Sequence, residues 1–369
     1  MIEKRRLGRT ELMVSCLSFG SLGILDRYML RWGKDAGPDV ARRIFEMVLD
    51  SGINLVDTAR WYEDSEERLG QTLAARPGDC IIASKTFKRD AAGARQDILE
   101  SFRSLRTDYI DIYMIHHVQW GEELKKVLAP QGALAGLLQA KREGQIGFVG
   151  ISGHHPELLI EAVKTGAFDV VEIPHNAIDH RIFQPIIDEA LQNDIGVLTM
   201  KALAAGLIVD TKDKVANALR FSLCVEGVGS VIVGMSTAEQ VIFNLEIAER
   251  VGRCSRSERR AILDEVGSMP CDYWGLDSEF YDATLCPFNV PIAQILELEK
   301  YRTIYKNGHR TKLEYSELAV KADVCQTCPG YCELPGSQVS VRTTLIKAHQ
   351  KLSEPVTERE ILQHGGELI

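Results

Sequence analysis

The stretch from Gly52 to Gly70, GINLVDTARWYEDSEERLG, decides the fold. It begins with an apolar, β-branched run that is typical of a buried parallel strand, and this run stops at Asp57. The following loop carries Tyr62, and a helix is predicted from Ser65, with two glutamates in its first turn. An α/β barrel enzyme presents such an acid and tyrosine at its active face. The alternative is a helix-capping aspartate and a surface tyrosine.

The strand–helix pattern recurs along the chain between residues 17 and 250. Eight alternating units favour a closed (β/α)8 TIM barrel over an open doubly wound sheet, and no Gly-x-Gly-x-x-Gly follows the first strand. Strands are predicted at Leu17–Gly20, Ile53–Val56, Cys80–Ser84, Ile110–Ile115, Phe148–Ile151, Val170–Ile173, Val197–Met200 and Val231–Val233. Helices are predicted at 38–50, 64–75, 91–106, 131–143, 156–166, 183–193, 213–226 and 237–250.

Composition limits the function classes. The chain has 369 residues, 45% of them hydrophobic and 26% charged, and its net charge of −9 argues against a nucleic-acid binder. No apolar run is long enough to span a membrane, and the first residues lack the apolar core of a signal peptide, so we expect a cytoplasmic protein. The length fits a barrel at residues 1–252 and a mostly helical C-terminal extension at 253–369.

Polar residues follow the predicted strands, and a barrel would bring them together at one face. Lys85 and Asp57 end neighbouring strands, so we expect them to meet. The pair is either structural or a means of lowering the pKa of Tyr62 from about 10, because a nearby cation favours the phenolate. His116 and His117 alternate along one strand, so at most one should face the barrel axis. The residues at the strand ends are Asp57, Lys85, His116, Ser152, Lys201 and Gly234.

The motifs resemble those of the aldo/keto reductase family of (β/α)8 barrels over residues 5–250. They are DTARWYEDSEERLG, ASKT, YIDIYMIHH, GFVGISGHH and IVGMSTAEQVIFNL, in that order. The resemblance implies a catalytic tetrad of Asp57, Tyr62, Lys85 and His116. Tyr62 would act as general acid/base on a small carbonyl or alcohol, Lys85 would tune it, and His116 would orient the substrate oxygen. A nicotinamide cofactor would carry the hydride.

The residues that the resemblance assigns to the cofactor match less well. Ser152 keeps a serine near the carboxamide, but the usual asparagine beside it is Gly153. The usual glutamine is Glu172, and the usual stacking tyrosine is His175. The run from Met200 through Lys201 to Gly206 would line the pyrophosphate. The remaining implied cofactor residues, most of them at the adenosine end, are Gly20, Gly234, Met235, Ser236, Gln240 and Asn244.

Two features bear on ligand choice. No lysine or arginine occurs from Ile232 to Ala248, which favours NAD over NADP because a 2′-phosphate normally needs a cation. Lys201 or a C-terminal side chain remains an alternative partner for that phosphate.

Four aromatic residues of the mouth loops suit a sugar or ring, although ordinary loop packing explains them equally well. They are Tyr28, Trp32, Trp61 and Trp120.

Nine cysteines fall into two sets. Four are scattered and are expected to be reduced thiols: Cys16, Cys80, Cys224 and Cys254. The others lie in the extension, which resembles the ferredoxin-like extension of some aldo/keto reductases. That resemblance implies one [4Fe–4S] cluster, with a four-cysteine zinc site and an empty site as alternatives. The implied ligands are Cys286, Cys325, Cys328 and Cys332, with Cys271 as a remnant of a second set.

Three function classes compete. A carbonyl reductase or alcohol dehydrogenase leads. A sugar epimerase or dehydratase would use the same barrel and tetrad with a tightly held cofactor. A redox or regulatory subunit would depend on the cluster instead, and would be expected to bind an electron-transfer partner. Self-association leaves no mark in the sequence.

Overall fold

The structure is a computed structural model of the chain. It describes residues 2–33, 35–118, 121–177, 180–204, 208, 211–250, 254–266, 286–304, 308–332 and 340–357. Eight parallel strands form a closed barrel in the order β10-β3-β4-β5-β6-β7-β8-β9, which confirms the predicted TIM barrel. These strands are β3 (Leu17–Gly20), β4 (Leu55–Asp57), β5 (Ile81–Thr86), β6 (Ile110–Val118), β7 (Ile146–Gly153), β8 (Val170–Pro174), β9 (Gly196–Met200) and β10 (Val228–Gly234).

Helices alternate with these strands. Their apolar sides pack against the strands in one continuous core that includes Phe45, Ile98, Leu137 and Ile186. They are α1 (Asp26–Trp32), α2 (Pro38–Asp50), α3 (Ser65–Ala75), α4 (Ala91–Leu105), α5 (Gly121–Leu128), α6 (Ala133–Arg142), α7 (Pro156–Lys164), α8 (His180–Gln192), α9 (Lys212–Leu223) and α10 (Ala238–Arg250). The short helices α1 and α5 were not predicted, because each lies within a loop whose apolar pattern covers too few turns.

An N-terminal hairpin closes the end of the barrel where the strands begin. It consists of β1 (Lys4–Arg6) and β2 (Met13–Ser15), joined by a tight turn. Leu7 and Val14 are fully buried in the same apolar cluster as the inward-facing strand residues. A Cβ atom at Gly196 would lie only 2.6 Å from the Leu7 side chain, so a glycine there leaves the room that Leu7 needs.

The chain divides into two compact units. The first contains the barrel and α11 (Arg256–Val266), and it ends at Val266. The predicted boundary lay at residue 252, but α11 packs on α9 and therefore goes with the barrel unit. The second unit contains α12 (Ile292–Ile304), α13 (Gly308–Glu317) and α14 (Val341–Leu352) around a separate apolar core. Among the described residues, no helix is both long and apolar enough to cross a membrane.

One prediction about the scattered cysteines is wrong. Cys224 and Cys254 form a disulfide, with Cα atoms 5.5 Å apart, rather than two reduced thiols. Cys224 follows the last residue of α9, and Cys254 precedes α11, so the packing of α11 against α9 brings the two sulfurs together. Cys16 and Cys80 remain unbridged, as predicted.

Candidate active site

The loop after β4 carries Tyr62 across the end of the neighbouring strand. Beyond Asp57 the chain continues alongside β5, since the Thr58 amide donates to the Ala83 carbonyl at 2.9 Å and the Arg60 amide to the Lys85 carbonyl at 3.1 Å. A tight turn follows, and Lys85 Nζ lies 5.5 Å from the centre of the Tyr62 ring. Three predicted catalytic residues are therefore brought together by the pairing of β4 with β5.

Lys85 is a fully buried lysine that meets two carboxyl groups. Its ammonium donates hydrogen bonds to Asp57 and, at 3.1 Å, to the Thr58 carbonyl. Its Nζ also lies 3.2 Å from Oε2 of Glu172, which reaches it from β8 across the interior of the barrel. The relative exposure of Asp57 is 3% and that of Glu172 is 1%. The structure thus adds Glu172, which was predicted to contact the cofactor, to the predicted catalytic group.

Burial dominates the electrostatics of this group. It raises the pKa of Asp57, although the Lys85 charge opposes the shift. Burial and the neighbouring Asp57 raise the pKa of Glu172 to about 8. Burial lowers the pKa of Lys85, but Asp57 and Glu172 outweigh it and hold that pKa above its ordinary value.

The expected lowering of the Tyr62 pKa does not occur in this structure. Burial raises that pKa, and the Lys85 charge lowers it by less than burial raises it. Asp57 and Glu172 add to the rise, because two carboxyl groups share one ammonium. The neutral phenol is therefore strongly favoured.

His116 lies beside the tyrosine, at the end of β6. Its ring meets that of Tyr62 edge-on, with the centroids 5.5 Å apart. Phe87, two residues after Lys85, lies 4.3 Å from the His116 ring and 5.0 Å from the ring of Trp61. Phe87 was not singled out from the sequence, because its place depends on the course of the loop after β5.

His117 departs from the alternation that was predicted for this strand. Its backbone φ is +53°, and the pairing of β6 with β7 shifts register between Ile115 and Val118. As a result its ring is 6.3 Å from Phe87 and 4.5 Å from His154, so both histidines lie at the barrel mouth. The prediction that at most one of them faces the barrel axis stays a prediction, although the bulge breaks the strict alternation on which it was based.

A third histidine links this strand end to β9. Nε2 of His154 lies 3.1 Å from Nζ of Lys201. Burial and the Lys201 charge hold the pKa of His154 well below its ordinary value, so its ring is neutral. Ser152, which was predicted to meet the cofactor carboxamide, accepts a hydrogen bond from the His117 amide at 3.0 Å.

His175 is fully buried at the end of β8. Its ring is stacked on that of Phe221, with 5.8 Å between centroids and 8° between planes. Burial lowers its pKa to about 3, so the imidazole is neutral. Neither ring nitrogen has a hydrogen-bond partner within the part of the chain that the structure describes.

The residues expected at the adenosine end gather where β10 leads into α10. The Ser236 amide donates to Oε1 of Gln240 at 2.7 Å, which closes the first turn of the helix. Met235, Ser236 and Asn244 are buried, and Gly234 is exposed. Gly20 lies beside Gly234 at the ends of paired strands.

Some predicted residues lie outside this description. Trp120, Gly206 and Cys271 fall among the residues that the structure does not describe, as does the side chain of Trp32.

Tyr28 is half-buried in α1 and close enough to act on the charge of Tyr62. Trp61 is half-exposed beside Phe87. Met200 ends β9 next to Lys201.

The four cysteines predicted as metal ligands all lie buried in the second unit. Cys286 precedes α12, Cys325 lies in a 3₁₀ turn (Ala322–Gln326), and Cys328 and Cys332 follow it. Burial and, to a smaller extent, the other three thiols raise the pKa of Cys325 to about 11. Among the described residues, however, no three His, Cys, Asp or Glu side chains form a group that could hold a metal ion. The described residues therefore form no site for a single ion such as zinc, and the predicted cluster stays a prediction.

Comparisons with known proteins agree with the barrel fold. The model of the family described as "Aldo/keto reductase family" matches residues 28–222. L-galactose dehydrogenase from Arabidopsis thaliana is 28% identical over 317 residues, which cover 73% of this chain and 96% of that protein. The NADH-specific methylglyoxal reductase of Escherichia coli K12 is 24% identical over 242 residues, covering 57% of this chain and 70% of the relative.

Among solved structures, an aldo-keto reductase from Bacillus halodurans in its holo form has the same fold. The TM-score is 0.62 at 24% identity, with 72% of this chain and 96% of that chain covered. The family match spans most of the barrel, from α1 to α9. The chain therefore belongs to the aldo/keto reductase family, whose members are NAD(P)H-dependent oxidoreductases of carbonyl compounds.

Proposed function

We propose that this chain reduces a small carbonyl compound, or oxidises the corresponding alcohol, with Tyr62 as the general acid/base. The observation that carries this proposal is the placement of Tyr62 over the buried Lys85, with His116 edge-on beside it. A phenol that must give up a proton needs a cation close to the oxygen on which negative charge develops. Lys85 supplies that cation, and Asp57 fixes its position.

The proton transfer uses only residues of this chain. In the reducing direction the Tyr62 O–H bond breaks as its proton passes to the substrate oxygen. The resulting phenolate lies near the Lys85 ammonium, which is 5.5 Å from the centre of the Tyr62 ring. His116 is placed to hold the substrate oxygen by a hydrogen bond during this step. The nicotinamide cofactor, when bound, supplies or accepts the hydride.

For the substrate we propose a sugar-like alcohol or a small dicarbonyl. Trp61 and Phe87 offer aromatic faces at the mouth, beside His116. Aromatic faces suit the apolar face of a sugar ring, while the acid/base group acts on one oxygen. The names of two relatives, an L-galactose dehydrogenase and a methylglyoxal reductase, support these two classes.

For the cofactor we propose NAD(H) in preference to NADP(H). The segment from Ile232 to Ala248 includes the start of α10 and has no lysine or arginine to pair with a 2′-phosphate. Within the described part of the chain the ring nitrogens of His175 have no hydrogen-bond partner, which supports a site for a polar ligand there, since buried polar atoms normally have partners. His175 would then lie at the nicotinamide, with Ser152 close to the carboxamide. A relative whose name specifies NADH supports the choice of cofactor.

The test of this function is a screen of sugars, aldehydes and dicarbonyls with NADH and NADPH, using the wild type and Tyr62→Phe. We expect Tyr62→Phe to lower kcat by about 10²- to 10⁴-fold, because general acid/base catalysis contributes that much. Tyr109→Phe is the matched control, because Tyr109 lies at the opposite end of β6 and should keep full activity. Turnover that survives in Tyr62→Phe would contradict the proposal.

Binding of the cofactor is measured separately, by quenching of tryptophan fluorescence. We expect NADH to bind at least tenfold more tightly than NADPH. Rearrangement of sugars without net turnover of free NAD(P)H would favour an epimerase or dehydratase instead. Equal affinity for both cofactors would refute the proposed preference.

We also propose that the second unit holds an iron–sulfur cluster on Cys286, Cys325, Cys328 and Cys332. Support comes from the burial of all four thiols in one unit and from the Gly330 amide, which donates to Sγ of Cys328 at 3.4 Å. A zinc ion needs four sulfurs at about 2.3 Å from one point, whereas the four irons of a cluster hold thiolates further apart. The described residues form no single-ion site, and this argues more strongly against zinc than against the cluster.

Anaerobic purification decides this second proposal. We expect a brown protein with about four irons and four sulfides per chain. Cys328→Ser should lose the colour and Cys80→Ser should keep it, because Cys80 belongs to the barrel unit. A colourless protein without iron would refute the cluster.

A further inference from the structure

The buried group around Lys85 contains two carboxyl groups but only one ammonium. Three buried ionisable groups meet there: Asp57 from β4, Lys85 from β5 and Glu172 from β8. If both carboxyl groups were ionised, the group would carry a net negative charge away from water, which is strongly unfavourable. One proton therefore belongs to the pair of carboxyl groups near neutral pH.

The contacts indicate which carboxyl holds that proton. Asp57 accepts a hydrogen bond from the Lys85 ammonium, whereas Oε2 of Glu172 accepts none within the described part of the chain, although it lies 3.2 Å from Nζ. A protonated Glu172 can instead donate a hydrogen bond to Asp57, which raises the pKa of Glu172 and lowers that of Asp57. The proton is thus held on Glu172, the less well paired of the two carboxyl groups.

Within the described part of the chain, the residues opposite Glu172 on the neighbouring strands carry no charge that could change this balance. The strands that flank β8 place Ser152 and Leu198 opposite Glu172, and neither side chain titrates in the working range. The charges that act on Glu172 are those of Asp57 and Lys85, and Glu172 in turn acts on Tyr62. These four residues therefore interact as one group, and Tyr28 has a further effect on the pKa of Tyr62.

We propose that Glu172 is a positioning residue for the proton transfer at Tyr62. While its carboxyl is protonated, the Lys85 charge is shared only with Asp57 and stabilises the Tyr62 phenolate. Once the carboxyl ionises, the second negative charge opposes that stabilisation, so Tyr62 becomes a weaker acid and its proton transfer to the substrate oxygen slows. This inference rests on the proposed role of Tyr62. It adds a pH-dependent control of proton transfer at Tyr62, which a glutamine at position 172 could not supply because its side chain does not ionise.

The first test follows the ionisation of Tyr62 itself, without turnover. Near-ultraviolet absorbance is titrated for the wild type, Glu172→Gln, Tyr62→Phe and the double variant, and each difference isolates the signal of Tyr62. We expect the midpoint for Tyr62 to move to lower pH in Glu172→Gln, because one source of negative charge is gone. An unchanged midpoint would overturn the proposal.

The second test is the pH profile of the single-turnover reduction rate. The wild type should lose about tenfold in rate from pH 7 to pH 9, because the protonated fraction of a group with a pKa of about 8 falls by that factor. Glu172→Gln should lose less than twofold, while Glu172→Asp, which keeps an ionisable carboxyl, should retain a step. Asp111→Asn should retain the wild-type profile, because Asp111 is a half-buried acid with a raised pKa at the other end of β6.

The two tests separate this inference from the proposed function. If Tyr62→Phe abolishes reduction but Glu172→Gln changes neither the Tyr62 midpoint nor the pH step, Glu172 has no such role and the function stands. If Glu172→Gln moves the Tyr62 midpoint but no carbonyl is reduced, the electrostatic coupling holds and the function fails. A urea unfolding curve confirms that each variant is folded before either test.

Discussion

Replacement of Lys85 by methionine should destabilise the barrel strongly, because it removes the only cation in contact with Asp57 and Glu172 among the described residues. Methionine keeps most of the volume of the lysine stem, so the cavity term is small. What remains is a buried carboxylate without its ammonium. Breaking a buried ion pair in this way costs about 3–5 kcal/mol. We expect a loss of that size in the free energy of unfolding at pH 8.

The loss should shrink toward pH 5, and the sign follows from proton binding. Without Lys85, burial raises the pKa of Asp57 in the native state above its value in the unfolded chain. The native state then takes up a proton as the pH falls, so stability is regained at low pH and lost at high pH. The double variant Lys85→Met/Asp57→Asn should recover about 2 kcal/mol or more, because it removes the uncompensated charge.

Urea unfolding followed by tryptophan fluorescence measures this prediction. Lys141→Met is the matched control, since Lys141 pairs with Asp169 at 2.5 Å but is partly exposed, and such pairs contribute about 0–1 kcal/mol. If Lys85→Met costs no more than Lys141→Met, the group at the barrel mouth is not the dry, mutually dependent cluster described here. Loss of the pH dependence alone would show that water reaches Asp57.

Three further predictions concern stability. The free energy of unfolding should fall as the pH rises toward and through about 8, because native Glu172 holds its proton to a higher pH than it does in the unfolded chain. Urea titrations at several pH values measure this fall, and Glu172→Gln should lack it. Glu66→Gln should cost about 1–3 kcal/mol, because buried Glu66 accepts hydrogen bonds from Ser84 and Ser101 and pairs with Arg60; a loss of Tm without such a cost in urea would contradict this. Reduction of the disulfide that follows α9 should cost about 3–4 kcal/mol for a sequence separation of 30, measured as a fall in Tm with dithiothreitol that Cys224→Ser abolishes.

The sequence predicted the barrel and the core of the site for one reason. Buried parallel strands form apolar runs, and the polar residue that ends each run lies at the common mouth. Asp57, Lys85 and His116 were placed in this way, and the structure brings Asp57 and Lys85 into contact. Tyr62 followed from its position in the loop after the first of these strands.

What the sequence could not supply depends on chain paths and on burial. The bulge at His117 has no sequence pattern of its own, and it brings a second histidine to the mouth. The partnership of Glu172 with Lys85 spans the barrel, so strand order alone does not reveal it. The pKa of Tyr62 was predicted to fall because only the cation was counted; burial and two carboxyl groups reverse the sign. The Cys224–Cys254 bond required knowledge of how α11 packs.

The N-terminal hairpin has a consequence for how the chain folds during synthesis. Leu7 leaves the ribosome well before Gly196 and Gly229, which form part of the surface that it packs against. Until then the apolar residues of the hairpin lack part of the native surface that covers them, and a nascent chain in that state is prone to misassociation. Packing of the hairpin on the barrel therefore joins a segment that is made early to wall strands that are made much later. A delay at that step would leave the hairpin exposed to chaperones and proteases.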